Sequence, residues 1–250
     1  MDARQALWSD FLVYIQGAPA ANNPGVLFAG FRDDLVAQGM SKDEASEAVR
    51  GLVTMAAGRR DWSAPMFDRI YTSDDPGFST RPNALLVDMI EGKAPGTALD
   101  IAMGQGRNAL YLASLGWKVT GFDVSSEGIA AARREATGRG LTIEALRVAH
   151  DEFEYGLAAW DLIVVTYALV PVTDVDFAAG LVESLRPGGL IVIESFGTLP
   201  DRPIRPVEID SNRLRDAYSG LQVLRFEDAI DLGDWTDEPA PIVRMAAMKD

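Results

Sequence analysis

The chain has 250 residues, of which 48% are hydrophobic, enough to bury a sizeable core. With 23 basic and 37 acidic residues, its formal net charge is −14, which disfavours binding to nucleic-acid phosphates. Because there is no cysteine, disulfide bonds, thiolate metal sites and cysteine nucleophiles are excluded. The N-terminus does not resemble a signal peptide, and the longest apolar run, Leu162–Val172, is too short to span a bilayer. We therefore expect a cytoplasmic protein that binds neither nucleic acid nor membrane.

The first 60 residues are predicted to form a helical extension. Four residues share one face of the first helix: Leu7, Phe11, Tyr14 and Ile15. After a loop over Gly17–Gly25, Pro24 is predicted to begin a second helix that ends near Gln38. Ser41 and Glu44 form a capping-box pattern that opens a third helix. Plain packing, a lid over a site and a dimer surface all remain open as roles for this extension.

Residues 61–250 are predicted to form an α/β domain. Periodicity fades over Asp61–Thr80, where aromatic and turn residues mix, and a short helix follows over Pro82–Ile90. Strands then alternate with helices, which predicts a doubly wound, mostly parallel, seven-stranded sheet. The strands are Thr97–Ala102, Trp117–Asp123, Leu141–Ala149, Trp160–Thr166 and Gly189–Phe196, and the helices are Gln105–Leu115, Glu127–Arg139 and Asp174–Leu185. Leu221–Ile230 and Ile242–Met248 are predicted to close one sheet edge as an antiparallel hairpin, so that a binding core over about 95–200 is followed by closing strands over about 220–248.

A glycine turn and three carboxylates indicate a nucleoside ligand. Gly104 and Gly106 join the first strand to a helix, where they permit a tight turn and close approach of a ligand. Dinucleotide-binding enzymes share this pattern, but Asp100 inside the strand would repel a pyrophosphate. Asp123 ends the second strand, where it is placed to accept hydrogen bonds from ribose hydroxyls, and Asp151 is predicted to end the third, near an adenine. An ammonium site, a ribose site and an adenine site in that order fit S-adenosylmethionine.

Several segments then carry a family resemblance. The runs LDIAMGQGRN, VTGFDVS, WDLIVVTYAL and LRPGGLIVIESF resemble the motifs of class I S-adenosylmethionine-dependent methyltransferases, which have a Rossmann-like fold. The GQGRN run and the closing hairpin are most similar to the tellurite-resistance and thiopurine-type small-molecule branch. The resemblance covers about half the chain. It implies transfer of a methyl group from S-adenosylmethionine, with S-adenosylhomocysteine as product, to a sulfur, oxygen, nitrogen or chalcogen atom of a small molecule. A peptide or protein acceptor, or a non-catalytic cofactor-binding subunit, remains open.

The resemblance also implies a set of site residues. The cofactor-binding candidates are Asp100, Ala102, Met103, Gly104, Gly106, Asn108, Asp123, Val124, Asp151, Glu152 (through its backbone N–H) and Thr166. Ala102 stands where the family usually has its first glycine, which is tolerated if the backbone there avoids positive φ.

The acceptor side of the site is less defined by the sequence. Tyr167 follows the fourth strand, where the family's active-site residues lie, and is the candidate catalytic residue. His150, the only histidine, is expected at the adenine end of the pocket. The loop that the family folds over the methionine end contains the candidate substrate or lid residues Phe67, Tyr71, Phe78 and Arg81. No residues have metal-ligand spacing, so no metal is expected, and a monomer and a homodimer both remain open. If the extension is a lid, deleting residues 1–60 should weaken turnover more than cofactor binding.

Overall fold

The chain forms two compact units, Met1–Phe78 and Ser79–Asp250. The computed structural model describes residues 3–18, 24–56, 59, 61–73, 77–199, 207–234, 236 and 238–250. Most of the predicted loop Gly17–Gly25 lies outside the described residues.

The first unit contains four helices in its described part: α1 (Ala3–Gly17), α2 (Pro24–Ala37), α3 (Lys42–Ala56) and α4 (Ser63–Tyr71). The predicted capping box is confirmed, since the N–H of Ser41 donates to Glu44 Oε2 (3.1 Å) and the N–H of Glu44 donates to Ser41 Oγ (3.3 Å). Stacked and edge-on rings fill the centre of the unit: Trp8, Phe11, Phe28, Phe31 and Trp62.

Helix α4 was not predicted from the sequence. Trp62, Met66 and Ile70 are buried at helical spacing, but Pro65 and the surrounding turn residues obscure that pattern. Proline is tolerated there because it lies in the first turn of the helix, where its missing N–H has no intrahelical partner. The first unit is therefore longer than the predicted extension of residues 1–60.

In its described part, the second unit is an eight-stranded, mostly parallel sheet flanked by helices. Its elements are α5 (Ala84–Ile90), β1 (Thr97–Ile101), α6 (Arg107–Ser114), β2 (Lys118–Asp123), α7 (Ser126–Gly138), β3 (Glu144–Arg147), β4 (Trp160–Thr166), α8 (Val175–Ser184), β5 (Leu185–Gly197), β6 (Glu208–Ile209), α9 (Ser211–Ala217), β7 (Gln222–Asp231) and β8 (Ala240–Met248). The strand order is β3-β2-β1-β4-β5-β8-β7, with the short β6 paired to β5. Strands β8 and β7 are antiparallel, which confirms the closing hairpin; β6 and α9 were not predicted.

The central strands β1, β4 and β5 are buried on both faces, as their nearly continuous apolar runs predict. One face packs around Leu99, Ile163 and Ile191, and the other around Ala98 and Leu162. Because β1, β2, β4 and β5 run parallel, their carboxyl ends meet at one edge of the sheet. In open α/β sheets ligands bind at that edge, so a binding site is expected there. Among the described residues, no helix is long and apolar enough to cross a membrane.

Candidate active site

The chain leaves β1 through a turn that requires glycine at its end. Gly106 caps α6 with φ +82°, and its N–H donates to the Met103 carbonyl (2.8 Å). A Cβ at this position would lie 3.0 Å from the Ala132 Cβ and 3.1 Å from the Met103 Cε. The predicted tight turn is therefore present, with the N-terminus of α6 directed at the same edge of the sheet as the strand ends.

Ala102 begins this turn with φ +54°, in the left-handed region. The condition under which alanine would be free of strain is therefore not met. This conformation costs an L-residue with a Cβ roughly 1–2 kcal/mol of steric strain, which glycine does not incur. The departure from the family pattern has a conformational cost at the edge of the site.

Replacing Ala102 by glycine is expected to raise the free energy of unfolding by about 1 kcal/mol, because the relief of strain exceeds the added chain entropy. Urea denaturation measures the change. Ala158→Gly is the matched control, since Ala158 has φ +43° in a different loop. Both variants should gain stability, and a loss of stability in Ala102→Gly alone would mean that the methyl group makes contacts worth more than the strain.

Asp123 ends β2 and holds the glycine turn in place. Its Oδ2 accepts a hydrogen bond from the N–H of Gly104 (2.9 Å), and its Oδ1 accepts one from the N–H of Ser125 (2.8 Å). The side chain is buried at the edge of the sheet. A carboxylate has about four lone-pair sites, so a ribose diol is a chemically suitable donor to such a group.

Asp100 lies inside β1 and is 2% exposed. Its Oδ2 accepts a hydrogen bond from the N–H of Ala109 (3.0 Å) in α6. Burial raises the pKa of this carboxyl to about 7, against the lowering effect of the Arg107 guanidinium and the Ala109 N–H. Burial makes the ionised form of Asp100 unfavourable. A cationic ligand group placed nearby would therefore stabilise the carboxylate and be bound by it.

The predicted adenine end of the site differs from expectation in the position of Asp151 and in the hydrogen bonding of Glu152. Strand β3 ends at Arg147, because its pairing with β2 stops where β2 ends at Asp123, so Asp151 lies exposed in the following turn and not at a strand end. The N–H of Glu152 already donates to the Ala149 carbonyl (3.0 Å). An adenine contact through that N–H would have to compete with this bond.

The remaining candidates at this end flank the β2 and β3 termini. The His150 ring packs edge-on against Phe177, with centroids 5.6 Å apart. The carbonyl of half-buried Val124 accepts a bond from Arg147 Nε (3.5 Å), and Met103 packs beneath β2 against Gly121. His150 thus lies in the turn after β3, with its ring against α8.

Asn108 joins three elements at the other side of the turn. Its Oδ1 accepts a bond from the backbone N–H of Asn83 (2.9 Å), and its Nδ2 donates to Thr166 Oγ1 (2.9 Å) at the end of β4. All three side chains are buried. Asn108 therefore positions the segment before α5 and the end of β4 relative to α6.

Tyr167 follows β4 with φ +54°, an uncommon backbone conformation for a large residue. Its hydroxyl donates to Glu194 Oε1 (2.9 Å) and accepts from the N–H of Asp234 (3.2 Å). Burial, followed by the charge of Glu194, raises the pKa of Tyr167 well above its usual value. A neutral phenol that donates one hydrogen bond and accepts another orients its neighbours and is poorly suited to remove a proton.

Glu194 lies near the carboxyl end of the apolar β5 and is 2% exposed. Besides the Tyr167 hydroxyl, it accepts bonds from Asn83 Nδ2 (2.8 Å) and Arg244 Nε (2.8 Å). Arg244 is the cross-strand partner of Glu194 on β8. Burial of this charge is compensated by a full set of donors.

Arg107, the first residue of α6, has a side chain that is 5% exposed. Its Nη1 donates to Asp234 Oδ2 (2.7 Å) and to the Arg81 carbonyl (3.1 Å), and its Nη2 lies 3.5 Å from Thr166 Oγ1. Asp234 belongs to the connection between β7 and β8. A buried ion pair therefore links this connection to the start of α6.

The predicted substrate or lid residues fall in both units. In the first unit, Phe67, Tyr71 and Phe78 form an aromatic cluster with centroid separations of 5.4–6.4 Å. In the second unit, the Arg81 side chain is exposed, its backbone N–H donates to Ser79 Oγ (3.2 Å), and its carbonyl accepts from Arg107 Nη1 (3.1 Å).

Five residues of the site were missed by sequence reasoning: Asn83, Arg107, Glu194, Asp234 and Arg244. Two of them had a local signal. A charged residue within the apolar run of β5, and a basic residue at the N-terminus of a helix, where the dipole disfavours it, both require compensation in the fold. Asn83, Asp234 and Arg244 had none, because their roles depend on where the closing hairpin lies.

Open α/β sheets bind nucleoside ligands at this edge, and here buried carboxylates lie at the ends of β1 and β2 around a glycine turn. Residues 98–189 match a family model described as a methyltransferase domain. The chain is 31% identical over 140 residues to a demethylmenaquinone methyltransferase of Thermus thermophilus, covering 55% of this chain and 64% of that protein. It is 26% identical over 167 residues to hemagglutinin 1 of Eikenella corrodens, covering 63% and 54%. The chain thus spans less than two thirds of either relative.

Solved structures with the same fold support the assignment of the sheet. TehB from Haemophilus influenzae superposes with a TM-score of 0.58 at 21% identity, covering 76% of this chain and 68% of that one. The [4+2]-cyclase SpnF superposes with a TM-score of 0.55 at 17% identity, covering 77% and 83%. The stretch over residues 98–189 is therefore similar to a methyltransferase domain, and it lies within an open α/β sheet that these solved structures share. Because a cyclase shares this fold, the fold by itself does not fix the reaction.

The described residues fit S-adenosylmethionine, the cofactor of this domain class. Asp100 is a buried carboxylate that favours a cationic partner, and Asp123 is a carboxylate to which ribose hydroxyls are chemically suitable donors. The fit differs from expectation at three places: the strained turn at Ala102, the exposed position of Asp151 after β3, and the bond from the Glu152 N–H to the Ala149 carbonyl.

Proposed function

We propose that the chain is a methyltransferase that transfers the methyl group of S-adenosylmethionine to a small-molecule nucleophile. The observation that carries this proposal is the pair of buried carboxylates, Asp100 and Asp123, on either side of the Gly104–Gly106 turn. One carboxylate favours a cation and the other is placed for a diol, a combination that a dinucleotide pyrophosphate does not satisfy.

The chemistry supplied by the bound cofactor is a methyl group on a sulfonium with a neutral leaving group. The residues of the chain then have to bind, orient and exclude water. Fixing both reactants in line supplies roughly 7–11 kcal/mol of the barrier in favourable cases. Asp100 and Asp123 position the cofactor, while Tyr167, Thr166 and Glu194 lie at the ends of β4 and β5, where an acceptor would approach.

The polar groups on the acceptor side favour a substrate that is already nucleophilic. The Tyr167 hydroxyl is bonded on both sides and its pKa is raised, and Glu194 accepts from three donors. Asp234 is paired with Arg107, and His150 lies on the β3 side. A thiolate or a chalcogen oxyanion needs no general base, whereas a neutral hydroxyl or amine usually does. We therefore propose an anionic sulfur or chalcogen acceptor first, ahead of oxygen and nitrogen acceptors, peptides and proteins.

Formation of S-adenosylhomocysteine with a panel of thiols, selenols, tellurite, phenols and amines tests this function. At saturating S-adenosylmethionine, kcat is expected to rise with pH along the pKa of the acceptor, so that thiols of different pKa give displaced profiles. Profiles that share one pKa across all acceptors would instead indicate an enzymatic base. Cofactor binding without turnover on any acceptor, peptides included, would identify a non-catalytic binding subunit. The lid role of the helical first unit stays a prediction, to be tested with the acceptor that this panel identifies.

A further inference from the structure

The buried Arg107 at the start of α6 is a feature that cofactor binding does not explain. It is the first helical residue, where the positive end of the helix dipole disfavours a cation. Its side chain is also removed from water, which adds a desolvation cost. A residue held in this way at the edge of a site requires an anion as its partner.

The carboxylate that pairs with Arg107 directly is that of Asp234, while Asp100 lies within electrostatic range of the same guanidinium. A second buried donor also converges on Asp234. Arg107 Nη1 and Asn83 Nδ2 each lie 2.7 Å from the same oxygen, Asp234 Oδ2. Asn83 is fully buried, whereas the side chain of Asp234 is 18% exposed and comes from the β7–β8 connection. Two fixed donors inside the fold are thus satisfied by a carboxylate that comes from the surface.

These donors lie on the acceptor side of the sheet. Arg107 Nη2 is near Thr166 on β4, and Asn83 also donates to Glu194 on β5. In the strand order, β4 and β5 lie on one side of β1, while β2 with Asp123 lies on the other. At about 4.8 Å per strand, β4 is roughly 10 Å from β2. The pair of donors is therefore displaced from the ribose-binding carboxylate toward the place where an acceptor would approach.

We propose that Arg107 and Asn83 form a carboxylate-binding site for the methyl acceptor, and that Asp234 occupies this site until an acceptor displaces it. Applied to an acceptor, the proposal rests on the proposed function. Exchange of one carboxylate for another keeps the Arg107 charge neutralised, and the displaced Asp234 side chain gains water. The substrate class is a small carboxylic acid that also contains the nucleophilic atom. Asp234 then acts as an internal competitor that keeps the buried cation paired when no acceptor is bound.

Calorimetric titration of carboxylates into the full chain tests this site. The probes are benzoate and propionate, each compared with its neutral amide, with and without saturating S-adenosylhomocysteine. The proteins are wild type, Asp234→Ala, Arg107→Gln and, as a matched control, Glu238→Gln, which removes an exposed charge from the same connection. Circular dichroism establishes that each variant is folded.

Wild type is expected to bind at least one carboxylate more tightly than its amide. Asp234→Ala should bind that carboxylate at least tenfold more tightly than wild type with the amide unchanged, Arg107→Gln should lose the preference, and Glu238→Gln should match wild type. If Arg107→Gln does not fold, Arg107→Lys, which retains the charge but loses the planar fork, should bind the carboxylate at least threefold more weakly. A wild type without preference, or an Asp234→Ala variant that gains nothing, would overturn the proposal.

A second comparison separates the acceptor carboxylate from the carboxylate of the cofactor itself. Decarboxylated S-adenosylmethionine lacks that group, so the ratio of its affinity to that of S-adenosylmethionine should be the same in wild type and in Arg107→Gln. A ratio that changes at least tenfold would assign Arg107 to the cofactor and overturn the proposal. The carboxylate titrations without S-adenosylhomocysteine remain interpretable even if S-adenosylmethionine does not bind, so failure of this site and failure of the proposed function are distinguishable.

Discussion

Asp123→Ala is expected to weaken the binding of S-adenosylmethionine by at least tenfold, which is about 1.4 kcal/mol. The substitution removes the acceptor for the ribose hydroxyls and also releases the N–H groups of Gly104 and Ser125, which hold the turn. Hydrogen bonds to a charged group contribute roughly 1.5–3 kcal/mol each, so the loss of the diol contact alone accounts for this change. Isothermal titration calorimetry measures it.

Asp161→Ala is the matched control for this prediction. Asp161 is also a carboxylate that accepts a hydrogen bond from a backbone N–H, that of Thr97. It lies at the amino-terminal end of β4, away from the edge where the parallel strands end. The control should lose stability and keep its affinity for the cofactor. Equal affinities of Asp123→Ala and Asp161→Ala would mean that Asp123 has a purely structural role.

Asp100→Asn is expected to bind S-adenosylmethionine at least tenfold more weakly at pH 8 and to be more stable than wild type at that pH. Burial raises the pKa of Asp100 to about 7 in the folded protein, above the value near 4 of an unfolded chain. The folded state therefore binds the proton more tightly, and the stability that this group contributes is lost as pH rises from about 4 through 7. An asparagine cannot ionise, so the variant escapes this loss, and we expect a gain of about 1 kcal/mol or more at pH 8.

Titration of Asp100 should also change the affinity for the cofactor, but there the ionised form is the favourable one. A ligand ammonium prefers the ionised carboxylate, so the affinity of wild type for S-adenosylmethionine should fall as pH is lowered below about 7. Asp100→Asn should show no such fall between pH 8 and 6. Parallel profiles of the two proteins would show that Asp100 does not face the cation.

The sequence predicted the strands of the sheet and the edge where two of its carboxylates meet, because both follow from short-range patterns. The strands were found because each is a short, nearly continuous apolar run, and Asp100 and Asp123 were placed together because parallel strands end at one edge. The φ of Ala102 could not be predicted, since it depends on how the turn closes. Helix α4 was hidden by Pro65 and its neighbouring turn residues.

The acceptor side could not be predicted because its partners are far apart in the chain. Glu194 and Arg244 are separated by 50 residues, and Arg107 and Asp234 by 127. Each pair exists only because β8 is inserted beside β5 and the β7–β8 connection reaches α6. A buried charge in the sequence signals that a partner must exist, but the topology decides which one.

The central claim is that the chain binds S-adenosylmethionine between the ends of β1 and β2. Parallel calorimetric titrations of wild type with S-adenosylmethionine and with NADH test it most directly. Binding of S-adenosylmethionine with a micromolar Kd, and no binding of NADH, is the predicted result. Binding of NADH, or no binding of S-adenosylmethionine, would contradict it and would leave this chain as a relative of the methyltransferases that has lost their cofactor.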